Sequence, residues 1–456
     1  MKLVLLSGGS GKRLWPLSND SRSKQFLKVL HNLNGNKESM VQRVWGQLRK
    51  NNLIKDSIIA TSNSQVDMIY NQLGAETPIV MEPERRDTFA AIALSAVYLY
   101  TEKSCDLNEV VTVLPVDPFV EDKFFNRVKN LENALIQSNA DLALMGVTPT
   151  FPSEKYGYIV PVENSYSSDY CRVQKFTEKP DKVMATKLIE RNALWNCGIF
   201  AFRLRYIIEL LEELSFPTNY WELLNVYDTL PKNSFDYEVV EKANHIVALP
   251  YEGYWKDLGT WNTLTEEMGS TILGKGIMGE AIINSHIINE LDIPITLLGI
   301  NNVVVAASPD GILVTNKDDS PKVKEYVGSL GGRPMYEERR WGSYKVLDHT
   351  KFKEGNEVLT KRIKITANKN LSYQLHYKRS EVWTVVKGEG IFILNGALRH
   401  VRAGDVIQIP LATKHGIKAI TDMEIIEVQS GSELIEEDIY RIEIDWEVIV
   451  NNEVRV

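Results

Sequence analysis

The first 270 residues alternate short apolar runs with longer amphipathic stretches. Residues 89–103 carry the small and apolar side chains expected of a helix that packs on a sheet. Such alternation is typical of βαβ units. It predicts an α/β domain with a mixed, mostly parallel sheet over residues 1–270. The clearest predicted strands are residues 3–6 (LVLL), 57–61 (SIIAT), 110–117 (VVTVLPVD) and 142–148 (LALMGVT).

The pattern changes near residue 270. Residues 277–305 form short β-branched runs punctuated by Gly, Asn and Asp, which suits short stacked strands. Residues 322–330 (KVKEYVGSL) favour a short helix, and 331–335 (GGRPM) have the composition of a linker. We therefore expect a short β-strand, β-helix-like linker domain over residues 271–335.

After residue 336 the chain becomes a series of alternating or apolar runs joined by Gly- and Asn-bearing turns. About nine such runs in this length favour a small sandwich or barrel. The prediction is an all-β C-terminal domain over residues 336–456.

Composition narrows the class of protein. The chain has 456 residues, 60 acidic and 52 basic side chains and a formal net charge of −8, which argues against a nucleic-acid partner. Its three cysteines are widely spaced and odd in number, so they indicate no disulfide framework and fit a reducing compartment. No apolar run approaches the ~20 residues of a membrane span, and the N-terminus lacks a signal-peptide core. We expect a cytoplasmic multidomain protein with no membrane partner.

A Gly-rich turn, residues 7–13 (SGGSGKR), directly follows the first predicted strand. Glycines let backbone N–H groups approach an anion closely, and Arg13 and Lys24 add positive charge nearby. The turn is not a Walker A loop, because GK is not followed by Ser or Thr. Tight turns also need glycine, so phosphate binding and a plain turn both remain open on this motif alone.

Further motifs follow in order, and together with residues 6–18 (LSGGSGKRLWPLS) they resemble sugar-1-phosphate nucleotidyltransferases. The wording LWPLS is most similar to the mannose-1-phosphate guanylyltransferases. Seven ordered motifs over roughly 260 residues make coincidence a poor explanation. The other six are 82–93 (EPERRDTFAAIA), 114–118 (LPVDP), 156–159 (YGYI), 176–181 (FTEKPD), 195–200 (WNCGIF) and 255–261 (WKDLGTW).

The resemblance implies a Rossmann-like nucleotidyltransferase domain that uses GTP, α-D-mannose 1-phosphate and Mg²⁺. A phosphate oxygen of the sugar phosphate would attack the α-phosphorus and expel pyrophosphate, a reaction governed by positioning and charge neutralisation. The implied roles fall into three groups. They are nucleotide binding by Gly8, Gly9, Gly11, Arg13, Lys24 and Arg86; Mg²⁺ binding by Asp117 and Asp257; and sugar-phosphate binding by Gly157, Glu178, Lys179 and Asn196. Arg13, Lys24 and the two aspartates would be the catalytic set.

The chain departs from the family pattern at three positions. Ser23 stands where the family usually has a proline before Lys24, which removes the fixed φ that would aim the lysine. Pro118 replaces the usual histidine after Asp117, and Cys197 replaces a small residue such as serine. Plain structural roles are the alternatives: an N-cap for either aspartate, an exposed pair for Glu178 and Lys179, a loop amide for Asn196, and a solvated Arg86.

A second group of metal-binding side chains lies near the C-terminus. Gln374 and His376 point to one face of a strand, while Glu381 has the opposite parity and joins them only after a turn or bulge. His415 follows in PLATKHG. Two imidazoles, a carboxylate and an amide suit Zn²⁺, Mn²⁺ or Fe²⁺. A neutral histidine satisfied in a β core is the alternative for either imidazole.

This region resembles the two cupin motifs, with Gln374 in the first His position. Residues 339–348 and 425–443 resemble type II phosphomannose isomerases, which are usually fused to a guanylyltransferase. That implies interconversion of fructose 6-phosphate and mannose 6-phosphate. The chain departs from the family at Tyr377, Lys378 and Val382, which replace histidines, and it lacks the usual D-x-Y-G-R ending, although Arg441 matches one family arginine.

The sequence thus predicts GDP-mannose synthesis for surface polysaccharide or glycoconjugates, with a possible second, isomerase activity and a homodimer or higher homo-oligomer. One alternative is transfer with another sugar or base, beside a cupin that only binds sugar or dimerises. Another is a regulatory protein with a degenerate transferase.

Overall fold

The computed structural model describes residues 1–9, 11–19, 21–163 and 169–453. Ser10 of the Gly-rich turn lies outside the described residues. Within these ranges, no helix combines the length and apolar character that crossing a bilayer requires.

The N-terminal domain contains thirteen described strands and eight α-helices. The strands are β1 (Lys2–Ser7), β2 (Leu30–His31), β3 (Lys37–Glu38), β4 (Ser57–Ser62), β5 (Ile79–Glu82), β6 (Val110–Pro115), β7 (Pro118–Val120), β8 (Leu142–Val147), β9 (Tyr158–Pro161), β10 (Cys171–Thr177), β11 (Leu194–Arg203), β12 (Ile246–Tyr251) and β13 (Trp255–Asp257). The helices are α1 (Met40–Lys50), α2 (Asn63–Leu73), α3 (Asp87–Thr101), α4 (Phe124–Ser138), α5 (Lys182–Glu190), α6 (Leu204–Glu213), α7 (Tyr220–Asn225) and α8 (Trp261–Glu267).

Nine strands form one mixed sheet in the order β5-β4-β1-β6-β11-β8-β12-β10-β9. Among the described residues, seven of the nine run in one direction, and β10 and β11 run against them. Five of the nine pairings are therefore antiparallel, more than a mostly parallel sheet suggests. All five antiparallel pairings involve β10 or β11, so the sheet is parallel from β5 to β6 and mixed beyond it.

The sheet separates two apolar cores. One contains Leu3 and Leu5 with side chains of α1 and α4, and the other contains Val4 with α3 and α6. Because β1 supplies alternate residues to both, it is fixed on each face, and burial of each such side chain is worth about 1.5–3 kcal/mol. The Gly-rich turn leaves the sheet from this rigid strand.

Short strands in parallel register follow the first domain. The strands β14, β16 and β18 pair in parallel, as do β15 and β17, and β19 closes the first stack antiparallel to β18. A short helix, α9, comes next. The bounds are β14 (Ile272–Leu273), β15 (Gly276–Met278), β16 (His286–Asn289), β17 (Ile295–Leu297), β18 (Val303–Ser308), β19 (Gly311–Asn316) and α9 (Val323–Val327).

The C-terminal domain packs a six-stranded sheet, β20-β21-β22-β29-β24-β27, against a five-stranded one, β26-β25-β28-β23-β30, around an apolar core. Its elements are β20 (Tyr336–Arg339), β21 (Gly342–Lys351), β22 (Glu357–Ile365), β23 (Tyr373–Leu375), β24 (Arg379–Lys387), β25 (Glu389–Leu394), β26 (Ala397–Arg402), β27 (Val406–Ile409), β28 (His415–Ala419), β29 (Met423–Gly431), β30 (Tyr440–Glu443) and α10 (Trp446–Glu453).

The expectation of an all-β C-terminal domain is wrong at its end, where α10 forms. The Asp445 carboxylate accepts hydrogen bonds from the backbone N–H groups of Glu447 and Val448, which caps the first turn. Trp446 and Ile449 are buried against the five-stranded sheet. The Asp445 cap and the burial of Trp446 and Ile449 together stabilise this helix.

The C-terminal domain rests on α2 of the first domain. The Asn71 side-chain amide donates to the carbonyl oxygen of Arg339 (2.8 Å), and Gln72 donates to Glu338 (3.1 Å). Arg22 ties all three regions together, because its buried guanidinium donates to Glu290 of the middle region (2.9 Å) and lies over the ring of Tyr336 (4.9 Å). The residues around the Gly-rich turn are thus fixed from both later domains.

Candidate functional sites

The Gly-rich turn is held from behind by Ser23. The Ser23 hydroxyl donates to the carbonyl oxygen of Gly9 (2.9 Å) and accepts from the side-chain amide of Gln65 on α2 (2.8 Å). Gly9 has φ +128°, a conformation that favours glycine. A Cβ on Gly11 would lie 2.8 Å from the Ser23 Cα, so Gly11 is required by packing against this segment.

Ser23 also keeps the backbone conformation that a proline would impose. Its φ is −71° and its ψ 159°, within the proline range. The backbone therefore leads into Lys24 in the direction that a proline ring would impose. The Ser23 hydroxyl also makes hydrogen bonds that proline cannot make. The sequence alone suggested that losing the proline would leave this loop less rigid. The hydrogen bonds of Ser23 with Gly9 and Gln65 hold the loop in place instead.

The amide of Gln65 belongs to a fully buried polar network. Thr61 and Gln25 both donate to the Gln65 amide oxygen, at 3.2 and 3.3 Å, and Gln25 also contacts the hydroxyl of Ser7 (3.2 Å). Buried polar groups stay in place only when partnered, so such a network fixes its members. The Gly-rich turn therefore rests on a fixed polar network.

Lys24 lies between the two aspartates of the predicted Mg²⁺ site. Its Nζ is 2.8 Å from Asp117 Oδ2 and 3.2 Å from Asp257 Oδ1. Burial alone would lower the pKa of Lys24, but the two carboxylates outweigh it and raise this pKa. Burial conversely favours protonated Asp257, and Lys24 and Arg13 overcome that effect and lower the pKa of Asp257. The ammonium stays charged, and so does the Asp257 carboxylate.

The two aspartates are neighbours because of one short ribbon. β7 and β13 pair antiparallel with Asp257 opposite Pro118, so Asp117 and Asp257 meet at the same end. Only Asp117 follows a strand of the main sheet; Asp257 ends β13 outside that sheet. Both carboxylates contact one ammonium group, so they lie close enough together to hold a hard cation such as Mg²⁺.

A cavity of about 810 Å³ opens beside these groups, lined by Gly8, Gly9 and Asp117 and by the segment 85–88. Arg86 is one of its walls. Its Nε donates to the carbonyl oxygen of Leu230 (2.8 Å) and its guanidinium pairs with Glu84, so it is not a free solvated side chain. Arg13, in contrast, is exposed and available to an incoming anion.

The predicted sugar contacts form a separate cluster. A Cβ on Gly157 would collide with the Glu178 carboxylate and with the Phe176 ring, so this glycine is set by close approach. Lys179, at φ +42°, forms an ion pair with Glu178. One Glu178 carboxylate oxygen is buried without a hydrogen-bond partner among the described residues.

Asp236 joins this cluster and was missed by the sequence reasoning. The Asn196 amide donates to its carboxylate (2.7 Å) while the Asn196 oxygen accepts from the Gly198 N–H (3.0 Å). Burial, and then the charge of Glu178, raise the pKa of Asp236 to about 7. Asp236 begins a π-helical turn, Asp236–Val240, and no quoted motif marked it.

In the C-terminal domain, His376, Glu381 and His415 converge. One ligand atom from each lies within 4.8 Å of the others, and all three side chains are buried. Glu381 reaches the group because residues 376–378 turn the chain from β23 into β24, in the opposite sheet. Gln374 contacts the ring of His376 (3.4 Å). The four predicted ligands therefore come together despite their mixed parity.

The two histidines are oriented as metal ligands are. Each Nδ1 is 2.9 Å from a backbone carbonyl oxygen, of Asp438 for His376 and of Thr413 for His415, which leaves both Nε2 atoms for a metal. His415 Nε2 has no hydrogen-bond partner within the described residues. An orphaned buried nitrogen facing a carboxylate fits a divalent cation better than a satisfied core histidine.

Charged neighbours complete this second centre. The Arg379 guanidinium donates to Glu381 (3.1 Å), and the indole of Trp383 donates to both Glu381 and Glu427 (3.1 Å each). Burial opposes ionisation of Glu381, but His415, His376 and Arg379 outweigh it and hold its pKa below the ordinary value. Glu381 is therefore anionic.

Comparison with known proteins assigns two parts of the chain to known families. Residues 2–272 match the family described as nucleotidyl transferase, and residues 334–444 match mannose-6-phosphate isomerase C-terminal. The chain is 31% identical to the alginate biosynthesis protein AlgA of Pseudomonas fluorescens, over 96% of this chain and 95% of that protein. It is 29% identical to mannose-1-phosphate guanylyltransferase of Salmonella muenchen, over 96% and 97% of the two chains.

Among solved structures, mannose-1-phosphate geranyltransferase from Thermus thermophilus is similar over 72% of this chain and 98% of its own. The TM-score is 0.61 and the identity is 26%. The nucleotidyl transferase match, over residues 2–272, includes the Gly-rich turn and the two aspartates. The chain therefore belongs to the nucleotidyl transferase family, and its second matched region, residues 334–444, is similar to the C-terminal domain of mannose-6-phosphate isomerases.

Proposed function

We propose that the N-terminal domain transfers GMP from GTP to α-D-mannose 1-phosphate, giving GDP-mannose and pyrophosphate. The observation that carries this proposal is Lys24, held between Asp117 and Asp257 at the mouth of the cavity that Gly8 and Gly9 line. The relatives named above support the choice of GTP and mannose 1-phosphate, since they include a mannose-1-phosphate guanylyltransferase.

The reaction needs positioned charge more than covalent help. An oxygen of the sugar phosphate forms a bond to the α-phosphorus, the bond from that phosphorus to the bridging oxygen breaks, and pyrophosphate leaves. Lys24 and Arg13 neutralise the phosphates, while the Gly9 segment lets backbone N–H groups approach them. Mg²⁺, when bound by Asp117 and Asp257, adds further neutralisation of the same oxygens.

The sugar end of the site is assigned to the polar cluster around Gly157. Glu178 and Asn196 offer hydrogen-bond acceptors and donors to sugar hydroxyls, and Lys179 offers a charge to the sugar phosphate. Asp236 holds Asn196 in place and carries the raised pKa described above. The cluster is polar and partly buried, as a site that must recognise hydroxyl groups requires.

A second activity, isomerisation of mannose 6-phosphate and fructose 6-phosphate, is proposed for the C-terminal domain. The converging His376, Glu381 and His415 support it. Zn²⁺, Mn²⁺ or Fe²⁺, held by these side chains and Gln374, would polarise the sugar carbonyl so that a proton can move between C1 and C2. With a mutase between them, the two activities are non-consecutive steps towards GDP-mannose.

We also propose that the enzyme is cytoplasmic, forms a homodimer or higher homo-oligomer, and supplies GDP-mannose for polysaccharide or glycoconjugate synthesis. The names of two relatives support the role in polysaccharide synthesis, since one is an alginate and one a xanthan biosynthesis protein. Size-exclusion chromatography with light scattering measures the oligomeric state directly.

The test of the transferase is pyrophosphate release from each of the four NTPs with mannose 1-phosphate and Mg²⁺, with the sugar nucleotide identified by mass. Release with GTP, and loss of release in Lys24→Ala, is the expected result. Release with a different NTP alone contradicts the guanylyl assignment, and nucleotide binding without release with any NTP contradicts the transferase. A separate coupled assay with mannose 6-phosphate tests the isomerase.

A further inference from the structure

The chain just before Lys24 is attached to both later regions of the molecule. Arg22, two residues before Lys24, is 5% exposed. One of its guanidinium nitrogens donates to both carboxylate oxygens of Glu290 (3.0 and 2.9 Å) in the middle region, and the guanidinium lies over the ring of Tyr336 (4.9 Å) on β20. Glu338, also on β20, is a weaker partner at 4.0 Å. A buried cation of the first domain is therefore held by side chains of the other two regions.

The partners of Arg22 are themselves held in place. Glu338 is 7% exposed, accepts a hydrogen bond from Gln72 of α2 (3.1 Å) and lies 3.5 Å from the Lys28 ammonium group. A buried charge that loses its partner is strongly disfavoured. The position of Arg22 is thus tied to the positions of Glu290 and Glu338.

Asn19 fixes the backbone of Arg22 as well. Its side-chain oxygen accepts from the Arg22 backbone N–H (2.7 Å), and its own backbone N–H donates to the Arg22 carbonyl oxygen (2.9 Å). The Asn19 side-chain amide donates to Asp310 of the middle region (2.9 Å), whose other carboxylate oxygen accepts from the backbone N–H of Met335 (2.7 Å). Both the backbone and the side chain of Arg22 are therefore fixed by contacts that end in the later regions.

A single residue, Ser23, separates Arg22 from Lys24. Ser23 is extended, and its hydroxyl makes the two hydrogen bonds described above. Lys24 then begins a 3₁₀ turn. Consecutive Cα atoms are 3.8 Å apart, so one fixed residue cannot absorb a displacement of its neighbour. A shift of Arg22 would therefore move Lys24 relative to the two aspartates that it contacts.

We propose that Arg22 is a positioning residue for Lys24, through which the middle region and the C-terminal domain set the rate of nucleotidyl transfer. Arg22 is not among the described residues that line the substrate cavity, so it acts through Lys24 and not on the substrate. Displacement of a reacting group by about 1 Å can cost about 100-fold in rate. The effect on rate rests on the transferase activity proposed above, whereas the effect on the position of Lys24 does not.

Steady-state pyrophosphate release by the full-length protein, with GTP, mannose 1-phosphate and Mg²⁺, tests the rate. Arg22→Met keeps an unbranched side chain but removes the charge, and it should lower kcat about 10–100-fold. KM for GTP should change less than about threefold, because the Gly-rich turn keeps its own support. Arg22→Lys retains a cation for Glu290 and should recover part of kcat. An unchanged kcat in Arg22→Met overturns the inference.

Glu290→Gln reaches the same contact from the other side and leaves the first domain unaltered. It keeps the shape of the side chain and removes its charge, so kcat should fall about 3–10-fold. Added to Arg22→Met, it should cost nothing further, because the interaction is already lost. A wild-type kcat in Glu290→Gln, or a further loss in the double variant as large as in the single one, contradicts the inference.

A second double-mutant cycle tests whether Arg22 acts through Lys24. The fold loss caused by Arg22→Met should largely disappear in the Lys24→Ala background, whose residual rate lacks the ammonium group that Arg22 positions. Equal fold losses in the two backgrounds would mean that Arg22 acts on another group, which overturns the inference.

Asn71→Ala is the matched control at the domain boundary. Asn71 makes the contact between α2 and the C-terminal domain described above, and its two acceptors there are the carbonyl oxygens of Arg339 and Gly342. The variant loosens the same boundary without touching Arg22, so kcat should stay at the wild-type value. Equal losses in Asn71→Ala and Arg22→Met would show that domain contact in general controls the rate, which overturns the specific role of Arg22.

Chemical labelling reports on Lys24 without turnover. Limiting acetic anhydride acetylates lysine side chains, and mass spectrometry of the peptides gives the extent at each one. Lys24, held between two carboxylates, should react slowly in the wild-type protein and several-fold faster in Arg22→Met, while exposed Lys50 reacts equally in both. If the wild-type protein releases no pyrophosphate with any NTP, the transferase proposal fails and the labelling alone decides on Arg22. Equal labelling of Lys24 in Arg22→Met and wild type overturns the inference in either case.

Discussion

The two sites of this chain differ most in how exposed their ionisable side chains are. In the transferase site, Lys24, Asp117 and Asp257 are 20%, 24% and 34% exposed, and the opposite charges hold one another in an open cleft. In the C-terminal site, His376, Glu381 and His415 are at most 2% exposed and stand on two packed sheets.

The difference in exposure fits the ligands proposed for the two sites. A nucleoside triphosphate and its metal ion are both highly charged. Partly exposed ion pairs can exchange partners when such a ligand binds, so no buried charge is left without a partner. A resident metal needs ligands whose position is fixed before it binds. The first site is therefore expected to depend on individual charges, and the second on the integrity of a buried cluster.

The largest effect should come from Lys24→Ala. Removing the ammonium leaves two carboxylates facing each other and takes one cation from the transferring phosphates, so kcat for pyrophosphate release should fall roughly 10³-fold. Stopped assays with GTP and mannose 1-phosphate measure this loss. Lys50→Ala, which removes an exposed lysine paired with Asp122, is the control and should be silent. A loss below about tenfold would contradict the central role of Lys24.

The next effect should appear in the other site alone. His376→Ala removes one of three clustered ligands and should lower metal affinity by at least about 100-fold, with loss of isomerase activity. Elemental analysis of the purified protein reports bound metal, and guanylyl transfer in the same sample should be retained. Equal metal content in wild type and variant would show that the cluster is a histidine-containing core.

A smaller effect is expected from Ser23→Ala, which tests the base beneath the Gly-rich turn. It leaves the Gly9 carbonyl and the Gln65 amide without their shared partner, a cost of about 1–3 kcal/mol. We expect KM for GTP to rise roughly 5–100-fold, while the isomerase is unaffected. Ser23→Thr keeps the hydroxyl and should recover most of the affinity. Wild-type kinetics in Ser23→Ala would mean that the backbone φ alone fixes the turn.

The smallest effect concerns Asp236 and pH. Its pKa is raised to about 7, so the native state holds this proton more tightly than the unfolded chain does. The resulting stabilisation is complete below about pH 4 and is lost as the pH rises through 7.

Asp236→Asn has no proton to lose at this position, so the variant does not lose this stabilisation as the pH rises. Between pH 5 and 8 the free energy of unfolding should fall less in the variant than in wild type, by on the order of 1–2 kcal/mol. Urea unfolding at several pH values measures the difference, with exposed Asp228→Asn as the control. Parallel pH profiles for Asp236→Asn and wild type would show that this carboxyl titrates normally.

Much of the fold followed from pattern, because buried strands such as residues 110–115 and 142–147 are apolar almost without interruption. Pattern could not predict that β11 enters the sheet between β6 and β8, since strand order depends on long-range packing. The pattern also could not predict α10, because this helix is short and only Trp446 and Ile449 are buried on it.

The site residues likewise divide into those that a sequence motif identifies and those that only the folded structure brings together. Motifs marked Lys24, Asp117 and Asp257, but Asp236 lies in a segment that no motif marked, and its raised pKa comes from burial and from Glu178, which the fold places beside it. Gly11 was assigned to the nucleotide, yet close packing against Ser23 already requires it. Spacing along the chain predicts local geometry, whereas partners hundreds of residues away are set only by the folded structure.

Helix α2 has a consequence for how such chains can be recombined. One side chain of this helix, Gln65, supports the Gly-rich turn, and another, Asn71, donates to the carbonyl oxygen of Arg339 in the C-terminal domain. The two domains therefore cannot be exchanged independently. A chimera that takes its C-terminal domain from a relative needs a matching α2 as well, because this helix contacts both the Gly-rich turn and the C-terminal domain.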